Sequence, residues 1–119
     1  MKRGEIWTAA GGSNYAGKPR PWVVVQADDF EIESSIILCG FTSEPGNHAR
    51  LRPRIEPTAG NGLRETSRVM VDKITALPRN LIDKHIGELS HDDMERVDRA
   101  LRLVLALAGT PRSRAAGVG

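Results

Sequence analysis

The chain has 119 residues, 27% charged and 39% hydrophobic, the make-up of one folded globular unit and not of a disordered segment. Its formal charge of +2 and pI near 9.0 permit an anionic partner without requiring one. The lone cysteine, Cys39, excludes a disulfide framework and fits a reducing, cytoplasmic setting.

Lys2 and Arg3 are followed by Glu5 before any long apolar run, so no signal peptide is expected. Glu5 to Ala10 reads as a first strand carrying Ile6 and Trp7, and Gly11-Gly12-Ser13-Asn14 opens a flexible loop. In Gly17-Lys18-Pro19-Arg20-Pro21 the two prolines stiffen the backbone on either side of Arg20. A guanidinium is thereby presented at the entrance of the strand Pro21 to Gln26, whose Trp22-Val23-Val24-Val25 core is apolar enough to be buried. Such a fixed positive charge suits a phosphate. Ser35 to Phe41 is a third strand, apolar on both faces and so central, ending in the turn-rich Thr42-Ser43-Glu44-Pro45-Gly46-Asn47.

Arg50, Arg52 and Arg54 alternate with Leu51, Pro53 and Ile55, which sets three arginines on one face of an extended edge segment. Asn61-Gly62 signals a turn into the strand Ser67 to Asp72, and Ile74 to Leu77 extends it after a bend. Pro78 begins a short helix. The strongest helix follows Ser90, a natural N-cap, with Asp92, Asp93 and Glu95 in the first turn. Met94, Val97, Leu101, Val104, Leu105 and Ala108 form its apolar face, and Gly109 and Pro111 end it. The run Leu103 to Ala108 is far too short to cross a membrane. The pattern predicts an α+β, mainly β fold: a small antiparallel barrel or curled sheet closed by one amphipathic helix. One domain is expected at 1–109, with 110–119 a disordered tail.

His48, His85 and His91 lie on separate segments and Cys39 has no partner cysteine, so no metal site and no cofactor are expected. A nucleophile elbow, a P-loop and a dinucleotide fingerprint are all missing from the sequence. The remaining chemistry suits phosphate. Arg20 and Lys18 stand at one loop, Thr42 and Ser43 end a strand, His48 follows, and Asp72 ends a later strand. Each has a plainer reading: a surface ion pair for Arg20, turn chemistry for Thr42-Ser43, a charge-protected strand edge for the arginines. Trp7 and Trp22 read as packing, whereas Tyr15 in its loop suits base stacking.

With these pieces in order, the chain resembles the MazF/PemK family of toxin ribonucleases. The likeness rests on Lys2-Arg3-Gly4-Glu5-Ile6-Trp7, Arg20-Pro21 before Val23-Val24-Val25, and Phe41-Thr42-Ser43. It continues through Gly62-Leu63, Ser67-Arg68-Val69-Met70-Val71-Asp72-Lys73-Ile74 and Ile86-Gly87-Glu88-Leu89-Ser90. The resemblance implies an SH3-like barrel related to the Kid and CcdB toxins, a homodimer, a cognate antitoxin, and metal-independent cleavage of single-stranded RNA. It also implies that Arg20 and Thr42 carry the chemistry, with Asp72 matching a site aspartate of some members.

Asp72 and His48 are the proton-transfer candidates, and Asn14, Tyr15, Lys18, Ser43, Arg50 and Arg52 the expected RNA contacts. The first loop departs from many relatives in holding neither acid nor histidine, and Pro19 is an extra residue before Arg20. Met70 stands where one well-known member has arginine. A CcdB-like topoisomerase poison is the rival reading, but the chain lacks the Trp-Gly-Ile ending it needs. A non-catalytic nucleic-acid-binding barrel is the other.

Overall fold

A computed structural model describes residues 1–10, 18–30, 34–44, 46 and 51–108. Seven strands and one helix follow in order: β1 (Glu5–Ala9), β2 (Arg20–Val24), β3 (Ser35–Thr42), β4 (Arg54–Ile55), β5 (Ser67–Val69), β6 (Thr75–Pro78), β7 (Ile82–Glu88) and α1 (His91–Leu105). The strands pair antiparallel in the order β4-β5-β3-β2-β1-β7, and β6 also pairs with β3. This is the curled, mainly β sheet with a closing helix that the sequence predicts.

The two-residue period of β2 and β3 explains the two cores. Val23, Cys39 and Phe41 point to one face, where they meet Ile6, Ile55, Val69 and the helical Val97 and Leu101. Trp22, Val24 and Leu38 point to the other and pack with Ala9, Ile36 and Leu77. Both strands are therefore buried on both sides, as their unbroken apolar runs require. Burying a side chain of this size contributes roughly 1.5–3 kcal/mol.

β3 changes partners along its length. Its first half pairs with β6 (Leu38↔Thr75) and its last two residues with β5 (Phe41↔Val69, Thr42↔Arg68). Between β5 and β6 a single turn of 3-10 helix, Val71–Lys73, re-aims the chain. For that reason the strand expected over Ser67 to Asp72 stops at Val69.

Three sequence expectations change. Pro78 begins no α-helix: one 3-10 turn (Arg79–Leu81) leads straight into β7. β7 has only Ile82 and Ile86 as apolar anchors, and its ladder to β1 makes it a strand, a partner that local pattern cannot reveal. Of the alternating arginines within the described residues, Arg54 lies in a strand and Arg52 does not. Helix α1 starts as expected, with Ser90 Oγ accepting from the Asp93 backbone N–H at 3.1 Å. It ends earlier than Gly109, at Ala106 in the left-handed region (φ 54°, ψ 46°). There the Ala106 N–H bonds the Leu103 carbonyl and the Leu107 N–H the Arg102 carbonyl, a Schellman cap built on alanine. Leu105 and Ala108, expected on the packed face, are exposed beyond or at that stop. The loop from Gly11 to Gly17 and the expected tail at 110–119 lie outside the described residues.

The N-terminal segment is clasped to the helix. The Arg3 guanidinium bonds both Asp98 oxygens at 3.1 and 2.6 Å and the Val25 carbonyl at 2.9 Å. Across the molecule, Gly62 (φ 70°) and Gly87 lie where the turn before Leu63 presses backbone to backbone on β7.

Two stability predictions follow from this packing. A Cβ at Gly87 would strike the Gly60 and Asn61 backbone, so Gly87→Ala is expected to lower unfolding free energy by about 3 kcal/mol, read from the urea midpoint. Ala106→Gly relieves the left-handed backbone and is expected to raise it by about 1 kcal/mol in the same assay.

Candidate active site

Arg20 opens β2 and Thr42 closes β3. The two strands pair through Val24↔Leu38, Val23↔Cys39 and Trp22↔Gly40. Extending that register by two residues sets Arg20 opposite Thr42, on the face that Trp22 and Gly40 share. At this level Arg20 is paired to Ala9 of β1 and Thr42 to Arg68 of β5. Each strand end is thus bound to its outer neighbour, and the β2–β3 ladder itself ends at Trp22↔Gly40, the mouth of this strand pair.

The floor of this mouth is tight. A Cβ on Gly40 would sit 3.3 Å from the Trp22 ring and 3.1 Å from the Met70 methyl, so glycine lets the indole lie against β3. The indole N–H donates to the Ala9 carbonyl at 3.2 Å, fixing the ring beneath the two strand ends. Thr42 is oriented as well: its Oγ1 accepts from the Glu44 backbone N–H at 3.2 Å. With one lone pair so occupied, its hydroxyl proton is available to an oxygen ligand. Arg20 is exposed, as are Lys18 before it and Ser43 beyond Thr42. Pro19 and Pro21 also border a cleft of about 470 Å³, shared with Thr8, Leu63, Arg64 and Glu65.

Asp72 and Arg52 meet each other. Arg52 Nε and Nη2 donate to the two Asp72 carboxylate oxygens, both at 2.9 Å, a bidentate fork. The Arg52 side chain is 10% exposed. The structure places it inside the fold and not on a solvated face with Arg54, because its guanidinium turns inward to a carboxylate twenty residues away. Asn14, Tyr15, His48 and Arg50 lie outside the described residues.

Two shifted groups flank these elements. Burial, with Asp72 nearby, pushes the Cys39 thiol up to about 12, so it stays a protonated packing group. Burial raises the Glu5 carboxyl, but hydrogen bonds from the Lys2 backbone and the Trp7 indole, with His85 beside it, outweigh that and hold it below its ordinary value. His85 itself is half exposed against Trp7, with ring centres 5.1 Å apart.

Residues 2–105 match the family model described as a PemK-like, MazF-like toxin of type II toxin–antitoxin systems. The chain belongs to the PemK/MazF toxin family. Among PemK/MazF relatives, a probable endoribonuclease MazF from Mycolicibacterium smegmatis is 43% identical over 109 residues, covering 92% of this chain and all of the relative. Solved structures share the fold at lower identity. A mycobacterial endoribonuclease in complex with its cognate antitoxin aligns with TM-score 0.70 at 18% identity, covering 95% of this chain and 97% of that one. The MazE–MazF structure from Deinococcus radiodurans gives 0.71 at 17%, covering 91% and 98%. Mycobacterium tuberculosis toxin MazF-mt6 gives 0.69 at 19%, covering 87% and 97%.

The Arg52–Asp72 fork is a part of this PemK/MazF chain that sequence reading took for solvent-facing chemistry. Removing one partner leaves a largely desolvated charge. Arg52→Ala is expected to lower unfolding free energy by about 2–3 kcal/mol in urea titration, and Asp72→Asn by a similar amount.

Proposed function

We propose that this PemK/MazF-family toxin is an endoribonuclease that cuts single-stranded RNA by attack of a ribose 2′-oxygen on its own 3′-phosphate. The new 2′-oxygen–phosphorus bond forms as the bond to the 5′-oxygen breaks, and the departing 5′-oxygen takes a proton from solvent, leaving a cyclic phosphate and a 5′-hydroxyl. The nucleophile belongs to the substrate, so the reaction needs no activated water.

One feature supports this reading: the β2–β3 register, carried two residues past Trp22↔Gly40, would set Arg20 opposite Thr42. Arg20 would neutralise charge growing on the non-bridging oxygens. Thr42, held by Glu44, would donate its hydroxyl proton to one of those oxygens. Both Asp72 oxygens accept from Arg52, so that carboxylate is already committed to an ion pair that a base would have to share. We therefore give the 2′-hydroxyl proton to His48, whose residue type titrates near neutrality. Lys18 and Ser43, with Asn14, Tyr15 and Arg50, would hold the flanking nucleotides, and the cleft beside Pro19 and Pro21 has room for a base.

A cognate antitoxin fits the same mouth, as an acidic, disordered segment that folds onto the cations. A mycobacterial endoribonuclease of this fold was captured with its cognate antitoxin, and a Deinococcus radiodurans MazF with MazE. A second copy of the chain would cover the apolar groove of about 430 Å³ that exposes Phe30, Ile74, Leu105 and Leu107. No helix among the described residues is long and apolar enough to cross a membrane. With the cysteine usage, this supports a cytoplasmic toxin. A topoisomerase poison is disfavoured: the tryptophans sit in β1 and β2, and neither lies on α1.

Arg20→Ala is expected to lower the cleavage rate of a long RNA by roughly a hundredfold to a thousandfold while leaving the melting curve unchanged. Mapping the ends in EDTA should give 5′-hydroxyls and cyclic phosphates. Undiminished cleavage by that variant removes Arg20 from the mechanism.

A further inference from the structure

The ladder that carries Thr42 runs on through two arginines. Thr42 pairs with Arg68 on β5, and Arg68 pairs with Arg54 on β4. Directly opposed residues of an antiparallel ladder share a face, so Thr42, Arg68 and Arg54 form one cross-strand row. At about 4.8 Å per strand, Arg54 stands about 10 Å from the threonine. Opposing arginines repel, so this row is a local cost to the sheet.

The row ends in a pocket of about 250 Å³ lined by Arg54 and Arg68 together with Arg96 and Arg99 from α1, closed by Pro53 and Leu103. The pocket is built, not a chance meeting of loose side chains. Arg68 Nη1 donates to the Arg52 carbonyl at 3.1 Å, and Arg96 Nη1 donates to the Arg54 carbonyl at 2.7 Å, stapling helix to strand. Two carboxylates answer the four guanidinium groups: Glu56 to Arg54 at 3.3 Å and Asp93 to Arg96 at 3.1 Å. Arg99 has no hydrogen-bond or ion-pair partner among the described residues. Positive charge is left over in a concave site that also offers the fork geometry phosphate prefers.

We propose that this four-arginine pocket is a phosphate subsite for the RNA strand whose scissile phosphate lies at Arg20 and Thr42. Arg68 links the two, since its backbone faces Thr42 and its side chain lines the pocket. The subsite would seat a backbone phosphate away from the cut and so set the direction in which the strand leaves the mouth. It reads no base and takes no part in bond breaking. The inference rests on the ribonuclease reading above.

The test uses the full-length protein, an oligoribonucleotide extending well beyond a mapped cleavage site, and a minimal substrate holding only the two nucleotides of the cut. A copy of the long strand with a 2′-deoxy sugar at the cut serves for binding. In the Arg54→Ala/Arg99→Ala double variant, both side chains being exposed, KM for the long RNA should rise roughly tenfold with kcat unchanged. The slope of log affinity against log salt should fall by about 0.7, the value for one phosphate on a single strand, and turnover of the minimal substrate should not change. Should the double variant fail to fold, Arg99→Glu alone carries the same expectation.

Unchanged KM and salt slope on the long RNA would overturn the proposal. So would an equal loss on both substrates, which marks a structural role. Normal RNA binding with lost inhibition by an acidic antitoxin peptide would assign the pocket to a protein partner instead. A parent that cuts RNA beside an indistinguishable variant sinks this inference alone, whereas a parent that neither binds nor cuts RNA sinks the ribonuclease reading with it.

Discussion

Everything at the mouth depends on β3 exchanging neighbours. One edge of β3 is laced to β2 through Gly40, while on its opposite edge β6 pairs with Ser35 to Leu38 and β5 with Phe41 and Thr42. The β2 ladder ends at Gly40, and beyond it β3 is paired on its β5 edge. Carried two residues further, that ladder would set Arg20 opposite Thr42. Gly40 lets Trp22 and Met70 pack directly on the strand, because any larger side chain would meet them.

The two cores fix that geometry from opposite sides. Val23 and Phe41 anchor the strand ends against α1, while Trp22 and Leu38 anchor them against β1 and β6. Neither strand can slip by one residue without turning its apolar side chains to the wrong core. Strand ends so held are fixed ahead of any ligand, the condition under which a cation stabilises charge at little reorganisation cost. The Arg52–Asp72 fork adds to the same rigidity by holding the turn that separates β5 from β6.

Much of this was legible in the residues themselves. The apolar runs of β2 and β3, the prolines around Arg20 and the Ser90 cap are local signals, and local signals survive folding. What could not be read were facts of register and long-range pairing. β7 reads as polar chain until β1 is known to lie beside it. Arg52 resembles its neighbours in sequence and differs only because a carboxylate waits in a later turn. Arg68 carries no motif of its own, and its place beside Thr42 appears once the ladder is counted across strands. The helix end was misplaced for a related reason: the backbone turns at an alanine that propensity would keep helical.

The edge of the sheet is sealed by strands from opposite ends of the sequence, with β1 lying against β7 and Arg3 clasping Asp98. Contacts between residues so distant in sequence form late, after the chain between them has been made. On the ribosome, the opening strand must wait for almost the whole message to be read before its neighbour exists. A polypeptide stalled midway therefore has no finished mouth, and the cell meets a competent toxin only once synthesis has reached the closing helix.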